Sequence, residues 1–240
     1  MIESVNNERI KEYSKLLIRK YREQMGLYLV STPHLVDEAL KAGVVKEVFL
    51  LEGNENLYGT VTVVTEAVMR KLTDLKTIPE VVAVCNVTNN KEIKGNVLML
   101  DAVQDPGNLG TILRSAVAFN IDTVVLGSGC VDLYNEKTLR AAEGMNFNLN
   151  IINSNLIEII PILKSEGYKI FGTKVTDGKP VREVNRTSNF ALVVGNEGNG
   201  VSEEVLNLCD EFLYIKMNKK CESLNVGVAT SIILYEFFKV

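Results

Sequence analysis

The chain has 240 residues, 46% of them hydrophobic and 23% charged, a balance that excludes disordered, collagen-like and low-complexity proteins. The formal net charge is −4, and the whole acidic excess lies in residues 96–240. Bulk positive charge is therefore not how this protein would hold a nucleic acid, although local basic clusters can bind phosphate within an acidic chain.

Glu8 to Gln24 has helical spacing and gathers Arg9, Lys11, Lys15, Arg19, Lys20 and Arg22, which form either a phosphate-binding patch or a solvated helix face. A strand-like LYLV at 27–30 follows, then a helix from near Pro33 to near Gly43. Next come a strand EVFLL, a strand VTVV, a helix EAVMRKL and a strand EVVAVC. Strands alternating with helices predict an α/β domain over residues 1–90. The polar stretch NNKEIKGN at 89–96 separates two apolar-rich regions, with a linker expected at 91–96.

The alternation is cleaner in 97–240. VLMLDAV at 97–103 reads as a buried strand, TILRSAVAF as a helix with Asn120 available as its C-cap, and TVVLG as a strand. Asn135 can cap a helix over EKTLRAA. NLIEIIPILKSEG is helical with an internal Pro161, which can kink it. YKIFGT and FALVVG are strands, a short helix is expected near 202–208, FLYIKM is a strand, and LNVGVATSIILYEFF is a long apolar helix. Near-continuous Val/Leu/Ile strands with crossover helices imply a parallel sheet buried on both faces. No apolar run reaches the roughly 18 residues of a membrane span, and the N-terminus lacks a signal-peptide layout. A cytoplasmic protein with no membrane partner is the expectation.

In open α/β sheets ligands sit beyond the carboxyl ends of strands. Three loops fall there: DPGNLG after residue 103, NEGNG after 195 and NKKCES after 217. Asn108 lies just before the first helix. Arg114 is six residues on, about 120° out of line on a continuous helix. The two share a site only if Asn108 is on the loop and Arg114 projects up from the helix. Arg114 either bridges helix to sheet through a carboxylate or presents a forked donor to a phosphate. Gly195, Gly198 and Gly200 give G-x-x-G-x-G, not the dinucleotide fingerprint. Glu197 in that loop is either a solvated acid or a site residue. Ser223 is a plausible N-cap for the last helix, with Asn225 in its first turn. Cys85, Cys130, Cys209 and Cys221 are separated by 45, 79 and 12 residues, without metal-ligand spacing. Reduced, mostly buried thiols follow. His34 is the only histidine, which leaves no histidine-based hydrolase chemistry unless His34 itself is the base.

Together the three segments resemble the SpoU–TrmH family of RNA ribose 2′-O-methyltransferases, in the SPOUT superfamily. The likeness rests on N-L-G-T-I-L-R-S-A-x-A-F, V-V-G-N-E-G-x-G-V-S and E-S-L-N-V-x-V-A-x-x-I-x-L-Y-E, and extends through D-L-Y-N-x-K-x-x-R-A-A-x-G at 132–144. A looser likeness, Y-L-V-x-x-x-H-L-V-x-E-A-L at 28–40, links residues 1–90 to the family's RNA-substrate-binding domain. The family usually has an acidic–glycine pair where this chain has Ser31 and Thr32, a glycine at Asn120, and Pro-Gln-Gly where Pro79-Glu80 stands.

The resemblance implies a C-terminal parallel-sheet SPOUT domain, residues 97–240, containing a deep trefoil knot and preceded by the small α/β domain. It implies S-adenosylmethionine as cofactor and no metal. Gly195, Gly198, Ile215, Met217, Leu224 and Asn225 would contact the cofactor. Asn108, Arg114, Glu197, Ser223 and Asn225 would form the active site. It further implies a homodimer through the C-terminal domain and an RNA partner, ribosomal RNA before transfer RNA because of the extra N-terminal domain. The alternatives are a transfer-RNA enzyme of the same reaction and a non-catalytic RNA-binding member of the fold. A nicotinamide-dependent dehydrogenase is opposed by the glycine order.

Overall fold

The computed structural model describes residues 1–88, 92–184 and 189–238. They form two compact units. The first holds residues 1–88 together with Asp132–Phe147, and the second holds the rest.

In the first unit, α1 (Glu8–Ser14) and α2 (Arg19–Met25) replace the single helix expected over 8–24. A short 3-10 turn and the extended backbone of Ile18, at φ −105 and ψ 127, separate them. β1 (Leu27–Ser31), α3 (Pro33–Lys41), β2 (Val45–Leu51), β3 (Thr62–Val64), α4 (Glu66–Lys71) and β4 (Val81–Asn86) follow as expected. The sheet order is β1-β4-β2-β3, with β4 antiparallel to both neighbours and β3 parallel to β2. One face packs on Ile10, Leu16, Phe49 and Met69, the other on Val36, Leu50 and Ala83. Three of the six clustered cations are neutralised by carboxylates: Arg9 by Glu47, Arg19 by Glu23 and the buried Arg22 by Asp132. The other three, Lys11, Lys15 and Lys20, are exposed.

The second unit begins with β5 (Val97–Leu100), α5 (Pro106–Ala118) and β6 (Thr123–Leu126). Between β6 and the next strand the chain contributes α6 (Glu136–Ala142) to the first unit, with Asn135 as N-cap. The sequence alone places this segment in the C-terminal domain. β7 (Asn150–Asn153), α7 (Leu156–Ser165), β8 (Lys169–Thr173), β9 (Lys179–Pro180), β10 (Phe190–Val194), α8 (Glu203–Leu206), β11 (Glu211–Tyr214) and α9 (Val226–Phe237) complete the second unit. The short β7 and β9 carry no clear strand pattern in the sequence.

The second sheet runs β7-β6-β5-β10-β8-β11-β9 and every pairing is parallel. Its central strands are buried throughout, which is why they read as continuous apolar runs. β5 ends three residues earlier than the apolar pattern suggests, because Ala102 takes φ +55 and turns the chain. Asn120, at φ +54, follows the last turn of α5 as a left-handed cap. Of the expected linker, residue 91 lies outside the described residues, as does residue 90 before it. The remainder is tied down: Lys94 exchanges two hydrogen bonds with the Thr123 hydroxyl, and the Asn96 amide donates to Asp122.

Candidate active site

Because all seven strands are parallel, the loops leaving β5, β8, β10 and β11 emerge at one end of the sheet. The chain runs outward from β5 through β6 to β7 before returning to the other side of β5, where β10 pairs. A ligand crevice is expected at such a reversal. An open cavity of about 410 Å³ lies there, lined by Gly195, Gly198, Ile215, Met217, Ser223 and Leu224 among others. All but one of the cofactor positions expected from the sequence are in its wall. The exception, Asn225, is flanked by the lining residues Leu224 and Val226.

The rim is a connected polar network. The Glu197 carboxylate accepts hydrogen bonds from the Gln104 and Asp105 amides at 3.2 and 3.0 Å, and from the Asn108 side chain at 2.9 Å. The Asn196 side chain adds a fourth at 3.4 Å. Asn225 donates to the Asn108 side-chain carbonyl at 2.8 Å. The Asn225 carbonyl oxygen in turn accepts from the Gly227 and Val228 amides and caps α9. One chain of bonds thus ties the loop after β10 to the start of α5 and to the start of α9. Burial pushes the Glu197 carboxyl up, but the bonds from Asn108, Asp105 and Gln104 outweigh it and hold it below the usual carboxylate range.

Three corrections to the sequence reading concern this rim. Asn108 is not on the loop: Asp105 caps α5, its carboxylate accepting from the Asn108 amide at 2.8 Å, so Asn108 lies in the first turn. Asn225, not Ser223, caps α9, and Ser223 stays on the loop lining the cavity. Arg114 makes no carboxylate bridge to the sheet. It is exposed on α5, outside the cavity wall, and without a hydrogen bond or ion pair among the described residues. It stands about 9 Å along the helix from Asn108 and about 120° around it. The network joins Asn108, Glu197 and Asn225 but not Arg114.

Close backbone approach explains one glycine outright. A Cβ on Gly195 would come within 2.0–2.2 Å of the Gly200 and Val201 backbone, because the loop pairs Asn196 with Gly200 and folds back over it. Gly227 is held by packing instead, its Cβ position 3.2 Å from Thr111 where α9 crosses α5. Ser115 and Ser231 hydrogen-bond across the same crossing at 2.7 Å.

Sequence reasoning missed Asn196 and Asp101. Asn196 donates to the Ala102 carbonyl at 2.8 Å and accepts from the Gly198 and Asn199 amides. Asp101 accepts from the Ser202 amide at 2.7 Å. The signal for Asn196 was its place in a glycine-rich loop, where Asn bonds the backbone two residues on. The last residue of β8, Thr173, and the loop after it through Asp177 also line the cavity and could have been found by the strand-end rule.

Comparison with known proteins bears on this geometry. Residues 95–235 match the SpoU rRNA methylase family model, and residues 7–83 match an MRM3-like substrate binding domain model. The chain is 40% identical to the 23S rRNA (guanosine(2553)-2′-O)-methyltransferase RlmP of Bacillus subtilis, across 98% of this chain and 97% of the relative. A TrmH-family protein from Porphyromonas gingivalis superposes with a TM-score of 0.89 at 30% identity, covering 98% of both chains. The SpoU methyltransferase AviRb from Streptomyces viridochromogenes, solved with the cofactor AdoMet, superposes at 0.86 with 25% identity, covering 97% of both. A likeness this long in sequence and fold, with the three loops of the sequence pattern meeting at one rim, places the chain in the SpoU rRNA methylase family.

Proposed function

We propose that the protein methylates a ribose 2′-hydroxyl of ribosomal RNA, with S-adenosylmethionine as the methyl donor. The observation that carries this reading is the Glu197–Asn108–Asn225 network, which holds three distant loops at the mouth of one cavity. The cavity fits the donor. Its volume lies within the roughly 300–1,000 Å³ usual for small-molecule sites, Ile215, Leu224 and Val226 supply apolar wall, and Gly195, Gly198 and Gly200 leave backbone accessible. Gly195, Gly198, Ile215, Met217, Leu224 and Asn225 would hold it. When bound, it supplies an electrophilic methyl whose leaving group is already in place.

The protein's own residues then have separable tasks. The Asn108 and Asn225 amides are locked in orientation by Glu197 and by the α9 amides, so they are preorganised before any substrate arrives. Glu197 is a positioning residue. Its oxygens already accept four donors and its depressed pKa makes it a poor acceptor for the hydroxyl proton. The Arg114 guanidinium offers a planar fork of N–H donors and no acceptor. Exposed on α5, its forked donors suit a phosphate of the RNA backbone. Ser223 shapes the lip of the cavity.

Ribosomal rather than transfer RNA is supported by coverage. The Bacillus 23S rRNA enzyme matches 98% of this chain, whereas the TrmH/SpoU tRNA modifying enzyme of A. aeolicus matches 62%, with a TM-score of 0.53. We propose further that the loops after β10 and β11 belong to a deep trefoil knot. We also propose that a homodimer forms through α9, whose outward face exposes Val228 and Tyr235. No helix among the described residues is long and apolar enough to cross a membrane. Mapping ribose methylation on total RNA with and without the protein tests the reaction. One ribosomal position should disappear in its absence. A position lost only from transfer RNA would overturn the substrate, and none lost would overturn the activity.

A further inference from the structure

A second and larger cavity, about 560 Å³, lies wholly within the first unit. It is bounded by the end of β1, the loop after α4 and the segment carrying α6. Its floor is apolar, from Leu16, Leu29 and Leu72. Tyr134 forms part of the wall, its ring 4.2 Å from that of Tyr28. Lys76, Lys137 and Arg140 line it and are exposed, and their side chains have no ion pair or hydrogen bond among the described residues. Arg22, also in the wall, is by contrast consumed by Asp132 and the Leu16 carbonyl. Ser31 lines the cavity at 4% exposure, and its hydroxyl makes no hydrogen bond among the described residues. Ser31 can therefore offer that hydroxyl to a ligand in the cavity.

We propose that this cavity is a nucleotide subsite, taking one unstacked ribonucleotide of the RNA with a phosphate against Lys137 and Arg140 and the base over the leucine floor beside Tyr134. The inference rests on the reading of RNA as substrate. Its chemistry is more specific than anion binding. Asp74 and Glu136 share the rim with the cations, Glu136 accepting the Thr73 hydroxyl at 3.4 Å. Carboxylates accept from exocyclic amines and ribose hydroxyls, which an inorganic anion lacks, and an apolar floor suits a planar base. The site is also composite. The substrate-binding family model ends at residue 83, while Tyr134, Lys137 and Arg140 lie within the residues matched to the methylase model. The fold nevertheless packs them into the first unit.

The test uses the full chain and an unmodified 23S rRNA transcript, with filter binding across a salt series and steady-state methylation. Lys137→Ala combined with Arg140→Ala should weaken transcript binding about tenfold or more. It should also flatten the salt dependence by about 0.7–0.9 for each phosphate that the variant no longer neutralises. KM for the transcript should rise, while S-adenosylmethionine affinity and the melting temperature stay at wild-type values. Ser31→Ala should raise KM without changing the salt slope. Arg70→Ala, a charge removed from α4 outside the cavity, should leave binding as in wild type. A double variant with wild-type transcript affinity and salt slope would overturn the subsite while leaving the RNA reading intact. A wild-type protein that neither binds nor methylates the transcript would overturn both.

Discussion

The two cavities of this chain are built on opposite principles. Around the cavity of the second unit, the polar side chains of the rim are engaged with one another: Glu197 with Asn108, Asn108 with Asn225, Asn225 with the α9 amides. Around the cavity of the first unit, the side chains of Lys76, Lys137 and Arg140 have no partner among the described residues, and neither has the Ser31 hydroxyl. The first arrangement suits a small molecule that must be presented at one angle, because preorganised dipoles need no rearrangement at the moment of reaction. The second suits a flexible polyanion, whose phosphates displace counterions and supply the missing partners. Arg114 belongs with the second kind. It sits on the helix that begins at the rim, yet its guanidinium is unpaired and exposed.

Removing that one unpaired charge should have the largest effect. Arg114→Ala is expected to abolish methyl incorporation into RNA while calorimetry still detects S-adenosylmethionine at wild-type affinity. Full activity in the variant would remove Arg114 from the mechanism. Next is Gly195→Ala, whose added methyl would meet the Gly200 and Val201 backbone at 2.0–2.2 Å. Backbone cannot swing aside as a side chain can, so cofactor binding should vanish and stability fall by about 1–3 kcal/mol. Chemical denaturation with and without S-adenosylmethionine checks both parts.

Glu197→Gln is a subtler break in the same network. The amide nitrogen of Gln would face a donor where a carboxylate oxygen accepted one, at a cost of about 1–3 kcal/mol, so kcat/KM should fall roughly tenfold to a hundredfold. The wild-type pH dependence follows from the sign of the shift. The folded pKa of Glu197 lies below its ordinary value, so its contribution is complete above the unfolded carboxyl value of about 4.3 and is lost as pH falls through the folded value. Cofactor affinity should show no Glu197 titration between pH 5 and 8. An inflection in that window present in wild type and absent in Glu197→Gln would contradict the assignment.

The smallest effect is expected in the first unit. Thr32 holds φ +92 just before α3, a conformation that a β-branched residue adopts only under strain. Its position is one where the resembling family usually has glycine. Thr32→Gly should release about 1–3 kcal/mol of strain against about 0.5–1 kcal/mol of added chain entropy. A net gain of about 1 kcal/mol should appear as a higher denaturation midpoint. A lower midpoint would mean that the Thr32 side chain contributes packing of its own.

Most elements could be read directly from the chain. The buried strands β5, β6 and β10 were plain because three to five consecutive apolar residues between turn signals fit little else. Ile18 was harder, since nothing in ERIKEYSKLLIRKYREQ forbids one continuous helix. There the packing of Ile10, Leu16 and Leu27 into one core outweighs local propensity. β7, with the sequence NIIN, is too short for any periodicity to register.

By itself, the amino-acid sequence determined the alternation of strands and helices, the three glycine- and asparagine-rich loops and the likeness of their order to one family. These are local properties, expressed by neighbouring residues through turn chemistry and apolar runs. Only the tertiary structure decided that Glu197 bonds Asn108 across 89 positions and that Asn225 rather than Ser223 caps the last helix. It alone left Arg114 outside that network and carried residues 132–147 into the other unit. Such pairings depend on which strand lies beside which and on the direction of each side chain, and no local pattern encodes either.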